Sequence, residues 1–543
     1  MISKFYIIMN KKLGGGSIQY IEDSIPFYEM ITNKKELRSI QEKNYTLIVQ
    51  PLIHLEITVD DILEFYQEKK CKIIIPIHEW YWISYGNEIY NSIPEFDRRH
   101  NLYLEKLEMT KKIKELFSIS TQILCPSYFI FEYIKEFSPK NIIYSPWKDF
   151  EIHFHKKPFL YPIQNYIIRI GILHRYTKYK GKEEIEEIRK QFQKIRYQGK
   201  IYKIEYLIVG IHIPYYKNTL KDYLLTIKKY RIHGLFHLNR WGETYCYGLT
   251  KSLLSGLPIL YNNFGSFKER IPKDYEKYQI YHHSEDEYLK INQSSLLQFF
   301  IYLIQNQSKK DLILSRTEPN KINDYWQKNY NFITIILTTT VFINPHKSMI
   351  YQRNSKERIQ TYVKSINQWI EKTNFHLVII ENSGYTFPEI KRSPRVEVIS
   401  FQEKNIPEIE KFYRYHSKGW SEGYSIQYAY KHSKSIQYSN FIFKVTGRYF
   451  IPELEDYLSQ FKVNNYDIMT QIDKDRCELL GCHPKHFFTL FHLDYRNENG
   501  KLDYHVENIY QYRTKQFQKE IPPKQFFIEP TQQGGINNII TYL

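Results

Sequence analysis

The chain has 543 residues, 42% of them hydrophobic, which is enough for several cores and, at roughly 100–200 residues per domain, about three domains. Lys and Arg number 76 against 59 Asp and Glu, a formal net charge of +17; the basic residues are scattered with no dense arm, so nucleic-acid binding has no motif behind it, while an anionic donor or a membrane surface fits the balance. The five Cys, at 71, 125, 246, 477 and 482, repeat no spacing, which argues against a disulfide framework or a zinc site, and no stretch approaches the roughly 20 apolar residues that span a bilayer.

The start, MISKFYIIMNKK, is too short in its apolar part for a signal peptide, so a soluble, cytoplasmic protein is expected. Lys4–Met9 and Tyr45–Gln50 read as strands, followed by Cys71–Ile77 (CKIIIPI) and Gln122–Cys125. Amphipathic runs at Asp60–Glu68 and Leu102–Leu116 lie between them. This alternation predicts a parallel α/β sheet over residues 1–155. Lys156–Pro162 (KKPFLYP) reads as a linker.

A second alternating unit, residues 160–325, begins at Tyr166 with YIIRIGIL. It runs through GILHRYTKYKG (Gly171–Gly181), a helical run Glu183–Ile195 and a strand Tyr206–Val209. Residues 241–272 then read WGETYCYGLTKSLLSGLPILYNNFGSFKERIP. There Gly242-Glu243-Thr244 opens a helical run that stops at Gly256-Leu257-Pro258, and the short strand Ile259–Tyr261 follows. A helix that opens with a carboxylate and bare backbone N–H groups can hold a pyrophosphate while gripping a sugar hydroxyl.

This segment resembles the donor-site signature of retaining glycosyltransferases of the GT-B fold, especially family 4. The resemblance implies two Rossmann-like domains joined by a hinge. It also implies a UDP-, GDP- or dTDP-linked sugar as donor, with no metal. Glu243 takes the place of the first carboxylate of the family's paired-Glu motif and would contact the donor sugar; the competing reading is a plain helix-terminal carboxylate. Thr244 and Tyr245 would offer N–H groups to the pyrophosphate. Lys180, of the pair Lys180-Gly181, would neutralise the leaving diphosphate together with Arg175 or His174. On the acceptor side Gly15 and Gly16 match a Gly-rich loop, although a turn needing positive φ explains them equally well. His78 stands where the family often shows His-Asp, here His78-Glu79, to orient acceptor or donor, against a purely structural role. Asn239 and Arg240 would line the cleft. The departure is Lys251, where the family carries its second Glu. A Lys has no acceptor for ribose hydroxyls, so either Lys251 turns to solvent and another residue holds the ribose, or donor binding weakens.

The third unit, residues 331–543, starts with the strand FITIILTTT. It continues with the helical run Arg358–Glu371, the buried strand in FHLVIIENSG (Phe375–Gly384), a strand Val396–Ser400, a helix Ser421–His432 and a central strand Asn440–Gly447. His416–Phe450 carries Lys418-Gly419, Glu422-Gly423 and Lys444-Val445-Thr446-Gly447-Arg448-Tyr449. It resembles a set of GT-A-like transferases from viral and bacterial glycan clusters, which implies one α/β sandwich with ligands at the strand C-termini and fits a virus-encoded chain. Under that resemblance Lys444 and Arg448, flanking Thr446, would meet the pyrophosphate directly in place of a metal-binding Asp-x-Asp, with Mn²⁺ or Mg²⁺ left open. Asn382 and Ser383 sit where a nucleoside would dock, and Glu507 is a candidate general base. Asp473-Lys474-Asp475 is a literal Asp-x-Asp but reads as a surface loop.

The expected fold is therefore α/β: a GT-B module followed by a GT-A-like domain. The expected activity is sugar transfer by both modules from nucleotide sugars to a glycan or glycoprotein acceptor, with peripheral membrane contact and no nucleic acid. The rival is a chain in which one or both modules have decayed into glycan-binding or scaffold units; Lys251 and the lack of a clear Asp-x-Asp point that way.

Overall fold

The computed structural model describes the chain except for residues 1–3, 11–15, 26, 42–44, 53, 79–81, 83–110, 136–139, 147–160, 178–179, 216–218, 240–242, 264, 272–278, 281–291, 307–323, 345–349, 407–417, 474, 497–498, 502, 504 and 536. Gly15, Glu79, Arg240 and most of the linker around Lys156–Pro162 lie outside the described residues. The chain is α/β and falls into two compact units. One comprises residues 7–21 and 30–319; the other comprises residues 320–543 with 1–6 and 22–29. No helix among the described residues is long and apolar enough to cross a membrane.

The first sheet has the order β2-β1-β3-β4-β5-β6, with β1 Lys4–Ile8, β2 Glu29–Ile31, β3 Tyr45–Val49, β4 Lys72–Pro76, β5 Gln122–Cys125 and β6 Ile142–Tyr144. From β3 to β6 the pairing is parallel. The strands are continuous apolar runs, as expected of a parallel sheet covered on both faces: Ile73, Ile74 and Ile75 are all fully buried. The helix Val59–Lys69 is set by a capping box at Thr58 and Asp61 and ends on Lys70 in the left-handed conformation. Of the expected run Leu102–Leu116, the described part is the C-terminal portion, inside the helix Lys111–Ile119.

The second sheet has the order β12-β11-β10-β7-β9-β8, with β7 Ile167–Ile172, β8 Lys194–Tyr197, β9 Lys200–Ile208, β10 Gly234–His237, β11 Ile259–Asn262 and β12 Gln279–Ile280. Its order reverses between β7 and β10, and both run parallel there. In such sheets ligands bind outside the strand C-termini at that reversal. The helical run expected at Glu183–Ile195 is shorter than its sequence suggests. The helix is Lys182–Gln191, and Ile195 belongs to β8, which pairs antiparallel with β9. The physical reason is the two-residue hairpin Gln198-Gly199, both at positive φ (47° and 74°), whose twist matches that of the flanking strands.

The third sheet has the order β15-β14-β13-β16-β18-β17-β19, with β13 Ile333–Thr339, β14 His376–Glu381, β15 Val396–Ser400, β16 Phe441–Thr446, β17 Ile468–Met469, β18 Leu479–Cys482 and β19 Glu520–Ile521. It is parallel from β15 to β16 and antiparallel where β18 joins. A separate hairpin pairs β20 Phe527–Gln532 with β21 Ile539–Tyr542. Alternate residues feed two cores. Ile333, Ile335, Leu337, Phe441, Phe443 and Val445 pack on one face, while Ile336, Val378, Ile380 and Ile442 pack on the other. Lys444 shares the second parity, so this lysine enters a buried layer. The helix expected at Ser421–His432 starts earlier, at Lys418. The order of this sheet reverses between β13 and β16.

Candidate functional site

In the first unit the loops after β7 and β10 converge. Glu243 is buried, with 8% of its surface exposed, and its Oε1 accepts from Asn239 Nδ2 at 2.6 Å and from Lys180 Nζ. Lys180 reaches it because Gly181 adopts φ 84° and lies against the chain beyond β10: a Cβ there would stand 2.0 Å from the Leu238 carbonyl oxygen. Gly181→Ala is accordingly expected to strain the turn and push Lys180 from its carboxylate, costing about 2 kcal/mol or more. Urea unfolding would measure the loss, and an unchanged midpoint would show that the turn tolerates a side chain.

Glu243 does not open the helix. The helix begins at Tyr247, with Cys246 before it at φ 69°. Thr244 and Tyr245 thus sit in the loop preceding the first turn, not in it. Thr244 Oγ1 donates to the His78 carbonyl oxygen, while the Tyr245 ring lies 3.7 Å under the Arg270 guanidinium. Arg270 also donates to the carbonyls of Tyr245 and Cys246, fixing the loop that carries Glu243. The Ser266 N–H donates to the Glu243 carbonyl at 3.1 Å.

The half-buried His174 ring lies between two main-chain carbonyls, with Nδ1 3.1 Å from Arg175 O and Nε2 3.1 Å from Phe236 O. Burial lowers its pKa, so the neutral ring is favoured. Arg175 follows it, exposed. His237, at the end of β10, is 5.2 Å from His174 ring to ring and is held by Ser252 Oγ at 2.7 Å, which in turn meets Tyr223 OH at 2.6 Å. Burial drives His237 well below the usual imidazole value. No sequence pattern signals this hydrogen-bonded chain, because Tyr223, His237 and Ser252 belong to three separate elements. Burial, with Glu243 adding to it, pushes the Cys246 thiol up to about 11.

Lys251 does not turn to solvent: it is 5% exposed, within the wholly buried run Leu249–Ser255 of the helix Tyr247–Ser255. His78 is also buried, its ring 4.5 Å from that of Tyr20 and its pKa pushed well below the ordinary value by burial. Gly16 opens the helix Gly16–Ser24. Glu269, in the 241–272 segment, accepts from the backbone N–H of Tyr128 at 2.8 Å and of Phe129 at 3.3 Å, at the start of the helix Tyr128–Lys135. A carboxylate there meets bare N–H groups and the positive end of the helix dipole. With the Thr244–His78 bond, this ties the second sheet's loops to the first.

In the second unit, candidate residues gather at the C-terminal ends of β13, β14 and β16. Thr338 and Thr446 are register partners, and the Gly447 N–H donates to Thr338 O at 2.9 Å. Lys444, expected at the pyrophosphate, is 1% exposed. It makes an ion pair with Glu422 Oε1 at 3.0 Å and donates to Cys477 O at 2.6 Å. Thr338 Oγ1 donates to the same Glu422 oxygen at 2.7 Å. Burial alone would lower the Lys444 pKa, but the Glu422 carboxylate more than offsets it and the net shift is upward. Asn382 and Ser383 are likewise engaged by protein. Asn382 accepts from Thr340 Oγ1 at 2.8 Å and donates to Ser421 Oγ at 3.1 Å. Ser383 Oγ accepts the Val341 and Phe342 N–H groups and donates to Glu381.

Arg448 lies just past β16, 7% exposed. Asp473 and Asp475 form a tight turn, the Asp475 N–H donating to Asp473 Oδ1 at 3.2 Å. Glu507, in the first turn of the helix Val506–Thr514, lines a cavity of about 230 Å³ together with Gln471, Arg476, Tyr510, Lys515 and Glu520.

No protein-family model matches the chain, and no curated protein matches it. Among solved structures, the chain is similar to HepE from Anabaena. In complex with UDP-glucose that protein is 10% identical at a TM-score of 0.33, over 55% of this chain and 88% of HepE. In complex with UDP it is 10% identical at a TM-score of 0.34, over 56% and 91%.

Proposed function

We propose that the chain is a bifunctional glycosyltransferase: a retaining GT-B module over residues 1–325, divided near 155–160, and a GT-A-like module over residues 331–543. The observation that carries the reading is the buried Glu243 carboxylate, held by Lys180 and Asn239 just beyond the β7/β10 reversal. Within it, carboxylate and ammonium neutralise each other. A nucleotide sugar would come between them, its hydroxyls bonding to Glu243 and its diphosphate to Lys180. As the glycosidic bond breaks, negative charge grows on the diphosphate, and a preorganised ammonium stabilises it. Arg175 supplies the second charge. His174, neutral in its half-buried setting, serves as a fixed hydrogen-bonding group and not as a cation.

In the second module Glu507 is the base that would take the acceptor hydroxyl proton, with the adjoining cavity receiving the acceptor. The donors are UDP-, GDP- or dTDP-sugars and the acceptor a glycan or glycoprotein, reached from the cytoplasm or at a membrane surface.

A nucleotide-release screen of the intact chain against UDP-, GDP- and dTDP-sugars, with and without Mn²⁺, tests the reading. Two donors turned over is the expected result; no release with any donor and any glycan acceptor would overturn it. Lys251 favours a second reading, a first module that binds donors without turning them over. Donor-induced thermal stabilisation without release would favour that one.

A further inference from the structure

Three cationic side chains gather at the β13/β16 reversal, and among the described residues none of them has a carboxylate within ion-pair distance. Arg358, from the helix Ser355–Lys372, is 5% exposed and donates to three neutral oxygens: Thr340 O at 2.6 Å, Gln352 O at 3.1 Å and Tyr362 OH at 2.8 Å. Arg448 lies near the same tyrosine. The two guanidinium carbons are 5.5 and 5.9 Å from the Tyr362 ring centre. Among the described residues Arg448 makes one hydrogen bond, to Gln532 O at 3.3 Å, and its buried Nε has no partner. Gly534 admits the guanidinium, since a Cβ there would stand 2.5 Å from Nη2. Lys418, the first residue of the helix Lys418–His432, is close enough to feel both arginines. Partial burial first, then Arg448 and Arg358, bring its ammonium down to about 8, against a weaker opposing pull from Glu507. Arg358 is itself lowered by burial and by Arg448, with Glu381 pulling the other way.

Assembling three like charges, two of them buried, is unfavourable unless an anion completes the group. A buried guanidinium with unused donors is a fork shaped for phosphate oxygens. The position is also where ligands of such sheets bind. We infer that Arg448 and Lys418 bind the diphosphate of a nucleotide directly at the β13/β16 reversal, with Arg358 supplying the third charge from behind. Lys444 is then a counter-ion of Glu422 and not part of this site. The naming of a diphosphate rests on the transferase reading of the second module; the anion site itself does not.

Peptide-resolved acylation of the intact chain in EDTA tests this. A lysine with a lowered pKa is reactive near pH 8, and each lysine is read separately, so occupancy at Lys180 does not interfere. Inorganic pyrophosphate at ten times its dissociation constant is expected to slow acylation of Lys418 roughly tenfold, and UDP, GDP or dTDP to do likewise. An anion favours the charged ammonium, so the reactivity midpoint of Lys418 should move up in pH. Protection should vanish in Arg448→Gln and persist in weakened form in Arg448→Lys, which keeps the charge without the fork. Protection by pyrophosphate but by no nucleoside diphosphate upholds the anion site and overturns the transferase reading of this module. No protection by either probe, or equal protection in Arg448→Gln, overturns the inference.

Discussion

Glu243→Ala is expected to lower nucleotide release by the first module by about 10²–10³-fold, the effect of removing one preorganised group from a transition-state site. The second donor's turnover should stay unchanged. The substitution removes the acceptor shared by Lys180 and Asn239 in one step. Both are left pointing at a space that the carboxylate filled. Glu243→Gln separates charge from shape: it keeps an oxygen for hydrogen bonding but not the countercharge. If the carboxylate's charge matters through Lys180, the Gln variant falls nearly as far as the Ala variant. If it matters as a hydrogen-bond acceptor for the sugar, the Gln variant retains most activity. Steady-state release kinetics with each donor give the answer, and full activity in both variants would remove Glu243 from the mechanism.

Lys444→Met is expected to destabilise the second unit by about 3 kcal/mol. That is the low end of the roughly 3–5 kcal/mol for breaking a buried ion pair, because Glu422 keeps 22% of its side-chain surface exposed. The loss comes mainly from leaving Glu422 with the Thr338 hydroxyl as its remaining partner. Pairing the substitution with Glu422→Gln should recover part of the loss, because an amide tolerates that layer without a countercharge. A double-mutant cycle by denaturant unfolding should therefore show coupling of about 1–3 kcal/mol. Strictly additive losses would mean that the two side chains are neighbours without an energetic bond. The alkaline sign follows from the raised Lys444 pKa: this stabilisation is fully present below the unfolded lysine value and is lost as pH rises through the folded one.

Much of the architecture is legible in the residues. Runs such as CKIIIPI and FITIILTTT place apolar residues side by side instead of alternating them with charged ones, as a sheet covered on both faces requires. The sites are less legible, for a reason that Lys444 illustrates. Period-two alternation says which face a strand residue takes, but not what waits on that face. Glu422 comes from a helix whose register against the sheet is decided by packing. Arg358 was invisible as a site residue: in sequence it is one more basic residue on an amphipathic helix, and its meaning comes from Tyr362 one turn on and from Arg448 ninety positions later. The β8 hairpin is hard to read from sequence because Gln-Gly is a weaker turn signal than Asn-Gly, although both central residues take positive φ. Lys251 shows the converse. The departure from the family pattern is plain in the sequence, while its burial comes from packing around every side of the helix, polar residues included.

The Glu269 carboxylate on the Tyr128 and Phe129 N–H groups, with the Thr244 hydroxyl on the His78 carbonyl, has a kinetic meaning. A charge-assisted bond and a neutral one together hold about 2–4 kcal/mol. An open form that gives up both is then populated at the level of a few per cent or less. Substrates that need the opening would wait for it, and spent nucleotide would leave on the same clock. In the proposed transferase, donor entry and nucleotide release would pass through an opening that gives up these bonds.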